Sequence, residues 1–213
     1  MVDQFTVEEQ RAIARIVSEL VQPLELKIMV LGRVALFYRY GIGGSSKDVD
    51  LHPYPLLKVD ILEVNDELAK ALASRGGHLE WMADGRGLIV YMPFEERTAP
   101  VELIFGGEDW IDEDVLEDAI RTGEEMDGVL VPTDEHLFVM KAEAYVDRRD
   151  RAVADKYLTD MIQIVEALEK RGSGLDLDEV TRLVSMRPVR KHEIMRRVCV
   201  SVMPLGAIEQ SGP

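Results

Sequence analysis

Asp48-Val49-Asp50-Leu51, reached from Leu31-Gly32-Arg33 through Gly41-Ile42-Gly43-Gly44-Ser45-Ser46-Lys47, is the stretch on which the reading of this chain turns. Residues two apart on a β-strand point to the same face, so a strand at Asp48 would set the carboxylates of Asp48 and Asp50 side by side. Such a pair attracts a divalent cation. Mg²⁺ is usually held by one or two carboxylates together with the phosphates of a bound nucleotide, which makes a short strand carrying Asp-x-Asp suited to phosphoryl transfer, with Mn²⁺ as the alternative ion. Taken alone, the same four residues also read as a solvated acidic turn.

Working outward, Ala12, Ile13, Ile16, Val17 and Leu20 recur at helical spacing and predict a helix from Val7 to Val21, stopped by Pro23. Lys27 to Leu31 reads as a buried first strand ending at Gly32, and Val34 to Tyr40 as a short helix. The glycine-rich turn then leads into the Asp48 strand, which Pro53 and Pro55 close as turn signals. A second helix carries Ile61, Val64, Leu68, Ala71 and Leu72 and ends at Gly76-Gly77. Strands are predicted at His78 to Ala83 and Gly87 to Phe94, joined by Asp84-Gly85-Arg86, and at Val101 to Phe105, introduced by Pro100. An acidic helix over Asp112 to Arg121 and an extended segment at Gly128 to Pro132 complete the first part. From Asp134 onward the pattern is helical, with Gly172-Ser173-Gly174 as a linker and final helices between Asp176 and Val202. The expected fold class is α/β (α+β): a small mixed β-sheet flanked by helices over residues 1–132, with a C-terminal helical region over 133–213.

At 213 residues the chain can bury roughly 70% of its unfolded surface without disulfides. Its single cysteine, Cys199, sits between Val198 and Val200 and reads as a buried thiol in a reducing compartment. Met1-Val2-Asp3-Gln4 lacks the basic start of a signal peptide, and the longest apolar stretch, Val198 to Ile208, is broken by Ser201, Pro204 and Gly206. The expectation is a cytoplasmic protein with no membrane contact. A formal charge of −15 opposes broad, sequence-independent binding to nucleic acid. Most of the acid between Glu108 and Asp127 is expected on a solvated helix face, and Arg187, Arg190, Lys191, Arg196 and Arg197 form a basic cluster that could balance it or dock an acidic partner or RNA. His52, before Pro53, is expected to face solvent at a strand end. His78, His136 and His192 have no identifiable partners, and Trp81 and Trp110 read as core or interface residues.

Glu102 lies between Val101 and Leu103, where an acid is costly unless it is paired or binds a cation. Two placements are open: beside Asp48 and Asp50 as a third carboxylate, or on the wet face of an edge strand. Leu31-Gly32-Arg33, Asp48-Val49-Asp50 and Glu102, in that order, resemble the signature of the nucleotidyltransferase superfamily, the DNA-polymerase-β-like fold. A second block, Lys141-Ala142-Glu143-Ala144-Tyr145-Val146-Asp147-Arg148 followed by Asp155 to Asp160, resembles the abortive-infection toxin branch. In that branch the segment before the acids often reads Arg-x-Thr-x-Asp. This chain has Gly44-Ser45-Ser46-Lys47-Asp48, keeping the hydroxyl and lacking the arginine.

The resemblance implies a Mg²⁺-dependent enzyme that moves a nucleoside monophosphate from a nucleoside triphosphate to an acceptor hydroxyl on a tRNA, a protein or a small molecule. Asp48, Asp50 and Glu102 would be the catalytic metal ligands. Gly32, Arg33, Ser46, Lys47, Lys141 and Arg148 would bind the nucleotide. A toxin of this branch would imply an antitoxin partner, and an RNA acceptor would draw on the C-terminal basic cluster. Residue 33 departs from the pattern, since Gly or Ser normally follows Gly32 so that backbone can approach the triphosphate. Arg33 could serve the phosphates or obstruct them, and the second case would leave a catalytically inactive binding or regulatory module.

Overall fold

The first helix begins where a threonine can close it. Thr6 Oγ1 accepts from the backbone of Glu9 at 3.3 Å while Glu9 Oε2 accepts from the backbone of Thr6 at 2.7 Å, a reciprocal capping box. The apolar stripe behind this cap forms α1 (Val7–Val21), which Pro23 ends in a 3₁₀ turn, Gln22–Leu24. The computed structural model describes residues 4–55, 61–83, 87–105 and 113–203. The Asp84-Gly85-Arg86 connection, Trp110, Glu108, Asp109 and Asp112 lie outside the described residues.

The chain divides into two compact units, 1–107 with 120–132, and 108–119 with 133–213. The first holds β1 (Lys27–Val30), α2 (Gly32–Tyr40), β2 (Val49–Tyr54), α3 (Ile61–Ala73), β3 (His78–Trp81), β4 (Gly87–Phe94), β5 (Arg97–Ile104), β6 (Glu124–Met126) and β7 (Val129–Val131). Its strands form one mixed seven-stranded sheet in the order β3-β4-β5-β2-β1-β7-β6. The pairs β2–β5 and β1–β7 are parallel and the rest antiparallel. Ile13, Val17, Ile28, Leu36, Leu51 and Leu103 are among its fully buried side chains. This is the mixed sheet flanked by helices that the sequence predicts.

Three details differ from the sequence expectation. Pro53, expected as a turn signal, and Pro100, expected to introduce a strand, both lie inside strands. Leu31 N–H donates to the Asp50 carbonyl, so Asp50 faces β1; in an antiparallel ladder the roles alternate, and Pro53, opposite Ile28, turns its nitrogen away from β1. On the far side the β2–β5 ladder covers only 49–51 against 101–103, so Pro53 has no partner there that needs a donor. The same alternation turns Pro100, opposite Tyr91, toward β2 just ahead of that ladder. The two prolines thus bracket a parallel ladder of three pairs. Third, β6 was not expected, because Glu124-Glu125-Met126 has no strand pattern; the Asp127-Gly128 turn, with φ of 50° and 79°, folds it back on β7.

The second unit holds the first part of α4 (Glu113–Thr122), up to Ala119, then α5 (Asp134–Arg148), α6 (Ala154–Lys170), α7 (Leu177–Ser185) and α8 (Val189–Val202). α5 packs against the other three long helices. Its polar residues are buried in pairs. Glu143 lies 3.0 Å from both Arg187 and Lys191, and Lys191 also reaches Asp147 at 2.9 Å. Two members of the expected basic surface cluster are therefore internal, because lone buried charge is costly and paired charge is tolerated. Asp118 is likewise buried instead of solvated: it accepts from Arg182 and meets His136 Nε2 at 3.1 Å, while His136 Nδ1 meets the N-cap hydroxyl Thr133 Oγ1 at 2.8 Å. His136 has partners on both ring nitrogens. Cys199 is buried as expected, and burial pushes its thiol up to about 12. No described helix is long and apolar enough to cross a membrane.

Burial is the main reason the pKa of His136 lies below its ordinary value, against the opposing pull of Asp118, and burial lowers His52 in the same way. A histidine depressed in the folded state binds its proton more readily when unfolded, so its contribution is full above the unfolded value of about 6.5 and fades as pH falls through the folded value. Urea denaturation of the chain should show stability falling as pH drops below about 6.5, and His136→Gln should flatten that slope.

Candidate active site

The first unit gathers a candidate site at the start of β2. The central pair of the parallel ladder is Asp50 with Glu102. Parallel neighbours in register point to one face, about 4.8 Å apart across the sheet, so the two carboxylates share a face in one row. β5 is an internal strand, between β4 and β2, which removes the edge-strand placement of Glu102. Both acids are half-buried, flanked by the buried Val49, Leu51, Val101 and Leu103 on the opposite face. Asp48 lies just ahead of β2 in a bend, half-buried, and its Oδ1 accepts from Ser46 Oγ at 2.9 Å.

Gly32 completes the row from the other side. It opens α2 with φ of +58°, and a Cβ built on it would overlap Asp50 Oδ2 and stand 3.1 Å from Asp50 Cγ. Glycine is needed here twice, for its left-handed backbone and for the space the carboxylate occupies. Helix α2 therefore starts at Gly32, two residues before the sequence suggests, with its first N–H groups beside Asp50.

Arg33 turns away from this row: its Nη1 donates to the Ser45 carbonyl at 3.2 Å, and an added Cβ at Gly44 would meet it at 3.1 Å. The guanidinium lies on the glycine-rich loop. That loop is also tied to the N-terminal segment, which sequence reading missed. Phe5 and Ser46 exchange backbone hydrogen bonds of 2.8 and 3.1 Å. Gln10, buried in α1, donates its amide to the carbonyls of Phe5 at 2.9 Å and Gly44 at 3.2 Å. Arg97 covers the Phe5 ring, 4.7 Å from its centroid. Glutamine at an interior helix position was the one visible signal, since a buried amide must find partners.

His52, expected in solvent, is buried. Its Nδ1 stands 2.7 Å from the Ile104 carbonyl, which can only accept, so Nδ1 carries the proton. The ring straps β2 to β5 just past the end of their ladder. Lys47 is exposed beside Asp48. Lys141 and Arg148 belong to the second unit: Lys141 is buried with its Nζ 2.6 Å from Asp160 Oδ2, and Arg148 donates to Tyr157 Oη at 2.6 Å. Neither is the exposed surface pair that is the simplest alternative to a phosphate ligand.

The donor set suits a hard divalent ion held by two carboxylates. Among the described residues no group of three or more His, Cys, Asp or Glu side chains is placed to hold a metal ion, so Asp48, Asp50 and Glu102 do not gather as the expected three-carboxylate cluster. Two carboxylates in one row, all-oxygen and half-exposed, are what a hard cation completed by phosphate and water requires. The residues that would hold it are Asp50 and Glu102, with Asp48 in the bend just ahead of β2.

Comparison with solved structures places the fold. The chain is similar to an antigenic nucleotidyltransferase-like protein from Paracoccidioides brasiliensis, with a TM-score of 0.59 at 13% identity over 98% of this chain and 100% of the other. It is also similar to the solution structure of the antibiotic-resistance factor ANT(2'')-Ia, with a TM-score of 0.50 at 15% identity over 98% of this chain and 100% of that one. No protein-family model matches, and no curated protein matches by sequence. The likeness at these identities is one of fold: the chain has the nucleotidyltransferase fold.

Gly32→Ala should lose about 1–3 kcal/mol from backbone strain and displace Asp50 as well. Gly41→Ala, at a φ of +66° with nothing within 4 Å of the added Cβ, is the control that carries strain alone. Denaturant melts should rank Gly32→Ala below Gly41→Ala.

Proposed function

We propose that this chain is a nucleotidyltransferase that transfers a nucleoside monophosphate from a nucleoside triphosphate to an acceptor hydroxyl. The observation that carries the reading is the in-register pairing of Asp50 with Glu102 in the sheet, closed on one side by Gly32. A new bond forms between the acceptor oxygen and the α-phosphorus, the bond to the bridging oxygen breaks, and pyrophosphate leaves with its electron pair. Asp50 and Glu102 would hold a Mg²⁺ ion, which would neutralise charge on the phosphates and lower the pKa of the acceptor hydroxyl. Glu102 or Asp48 accepts the hydroxyl proton. Ser46 orients Asp48, Gly32 leaves room for the Asp50 carboxylate beside the N–H groups that open α2, and Lys47 offers an exposed cation next to Asp48. Arg33, laid on Ser45, holds the loop in shape instead of filling the space over Gly32. Lys141 and Arg148, engaged with Asp160 and Tyr157, are not required by this reading. Catalysis of this kind is positioning and electrostatics, so each carboxylate should matter steeply.

The toxin-type resemblance would make the acceptor a macromolecule and call for an antitoxin partner, whereas the likeness to an antibiotic-resistance factor would make it a small molecule.

Release of pyrophosphate from each nucleoside triphosphate, assayed with Mg²⁺ and with Mn²⁺, should fall at least about a hundredfold in Asp50→Asn and in Glu102→Gln with folding unchanged. Turnover that survives both substitutions refutes the assignment. Titration calorimetry that finds tight nucleotide binding without turnover supports the inactive module.

A further inference from the structure

The sheet ends in two edges that are built differently. β6 carries Glu124 and Glu125 together, so a strand laid along it by a second copy would meet like charge. β3, His78-Leu79-Glu80-Trp81, has no strand beyond it among the described residues. Its side chains are open: His78 is 63% and Glu80 61% exposed, and Trp81 is 45% exposed. His78 stacks on Tyr91 with centroids 4.6 Å apart, which keeps its ring upright on the strand. Trp81, expected in a core or an interface, is not in the core. An unpaired edge carrying an exposed tryptophan is a template for another strand.

Hydrogen-bond alternation decides which groups face outward. Met82 N–H donates to the Gly87 carbonyl at 2.9 Å, so Glu80 and His78, paired with Ile89 and Tyr91, also face β4. Leu79 and Trp81 therefore turn their N–H and C=O groups to the open edge.

We propose that β3 pairs antiparallel with β3 of a second copy of this chain, about a two-fold axis at Leu79. An axis perpendicular to the sheet keeps the two faces distinct, so opposed residues must have the same parity. Centred on Leu79, the two Leu79 residues exchange both outward hydrogen bonds. His78 of each copy then stands opposite Glu80 of the other in the closer, non-hydrogen-bonded pairs, imidazole donor to carboxylate acceptor, twice. Trp81 falls opposite Gly77, which presents no side chain to obstruct the indole. Moving the axis to Glu80 would set the two Glu80 carboxylates against each other, and moving it to His78 would set the two imidazoles together and leave Glu80 only the His78 of its own strand, 3.9 Å away. Charge selects Leu79. A four-residue strand pair falls short of the roughly 1,200 Å² of a stable interface, so the dimer is reversible and concentration-dependent.

Sedimentation velocity of the full chain over a concentration series tests this independently of any nucleotidyl transfer. A monomer–dimer equilibrium is expected, weakened about tenfold by Glu80→Lys and by His78→Glu, and restored to within about threefold when both exchanges are combined. Leu79→Pro removes an outward N–H that β4 does not use and should abolish the dimer while the circular dichroism of the monomer is kept. If Leu79→Pro unfolds, the charge exchanges decide alone. A monomer at all concentrations, or a dimer indifferent to the charge exchanges, overturns the proposal.

Discussion

A parallel ladder only three pairs long, Val49 to Leu51 against Val101 to Leu103, is what the candidate site depends on. Its central pair brings an acid from each strand into one row, and its outer pairs bury four branched side chains that hold the row in place. The ladder is short because a proline stands just beyond each end, Pro100 on one side and Pro53 on the other. Each has its missing donor where no neighbour calls for it, so neither costs a hydrogen bond. Past the end of the ladder the His52 imidazole takes over, joining β2 to the Ile104 carbonyl at 2.7 Å.

Around that frame, the loop leading to Asp48 is held by contacts from far along the chain. The N-terminal segment bridges Ser46, Gln10 reaches Gly44, and Arg33 reaches Ser45. A run of three glycines in seven residues would otherwise sample many conformations, and each tether removes some of that freedom. Ser46 then passes the restraint to Asp48 through its hydroxyl. Arg33 is part of this scaffold, its guanidinium laid on the Ser45 carbonyl and against Gly44.

The second unit handles its charge in the opposite way, by burying it in pairs. Lys141 with Asp160, Glu143 with Arg187 and Lys191, and Asp118 with Arg182 and His136 link helices whose apolar stripes alone would leave their rotation less defined. Such pairs add little net stability, since desolvation offsets attraction, but breaking one strands its partner. Part of the acid that gives the chain its charge of −15 is therefore internal and structural, and the formal charge overstates the field at the surface.

By itself, the sequence determined the elements with strong periodicity and their class. α1 runs from Val7 to Val21 and β4 from Gly87 to Phe94 as the spacing of apolar residues predicts, because that spacing is a local property that burial of one face makes decisive. The order of Gly32, Asp48, Asp50 and Glu102 was likewise legible, and with it the fold. Only the tertiary structure decided what each of these residues faces. Whether Glu102 met water or Asp50 depended on which strand lay beside β5, and whether Pro53 broke a strand or joined one depended on where the neighbouring ladder stopped. His52 read as a solvent-facing residue, and Arg187 and Lys191 as part of a basic cluster for docking or charge balance, because a polar side chain's burial is set by the partner that reaches it, and those partners lie dozens of residues away, as Ile104 does from His52 and Glu143 from Lys191. Local pattern carries the period of an element; the pairing of polar groups is a property of the assembled chain.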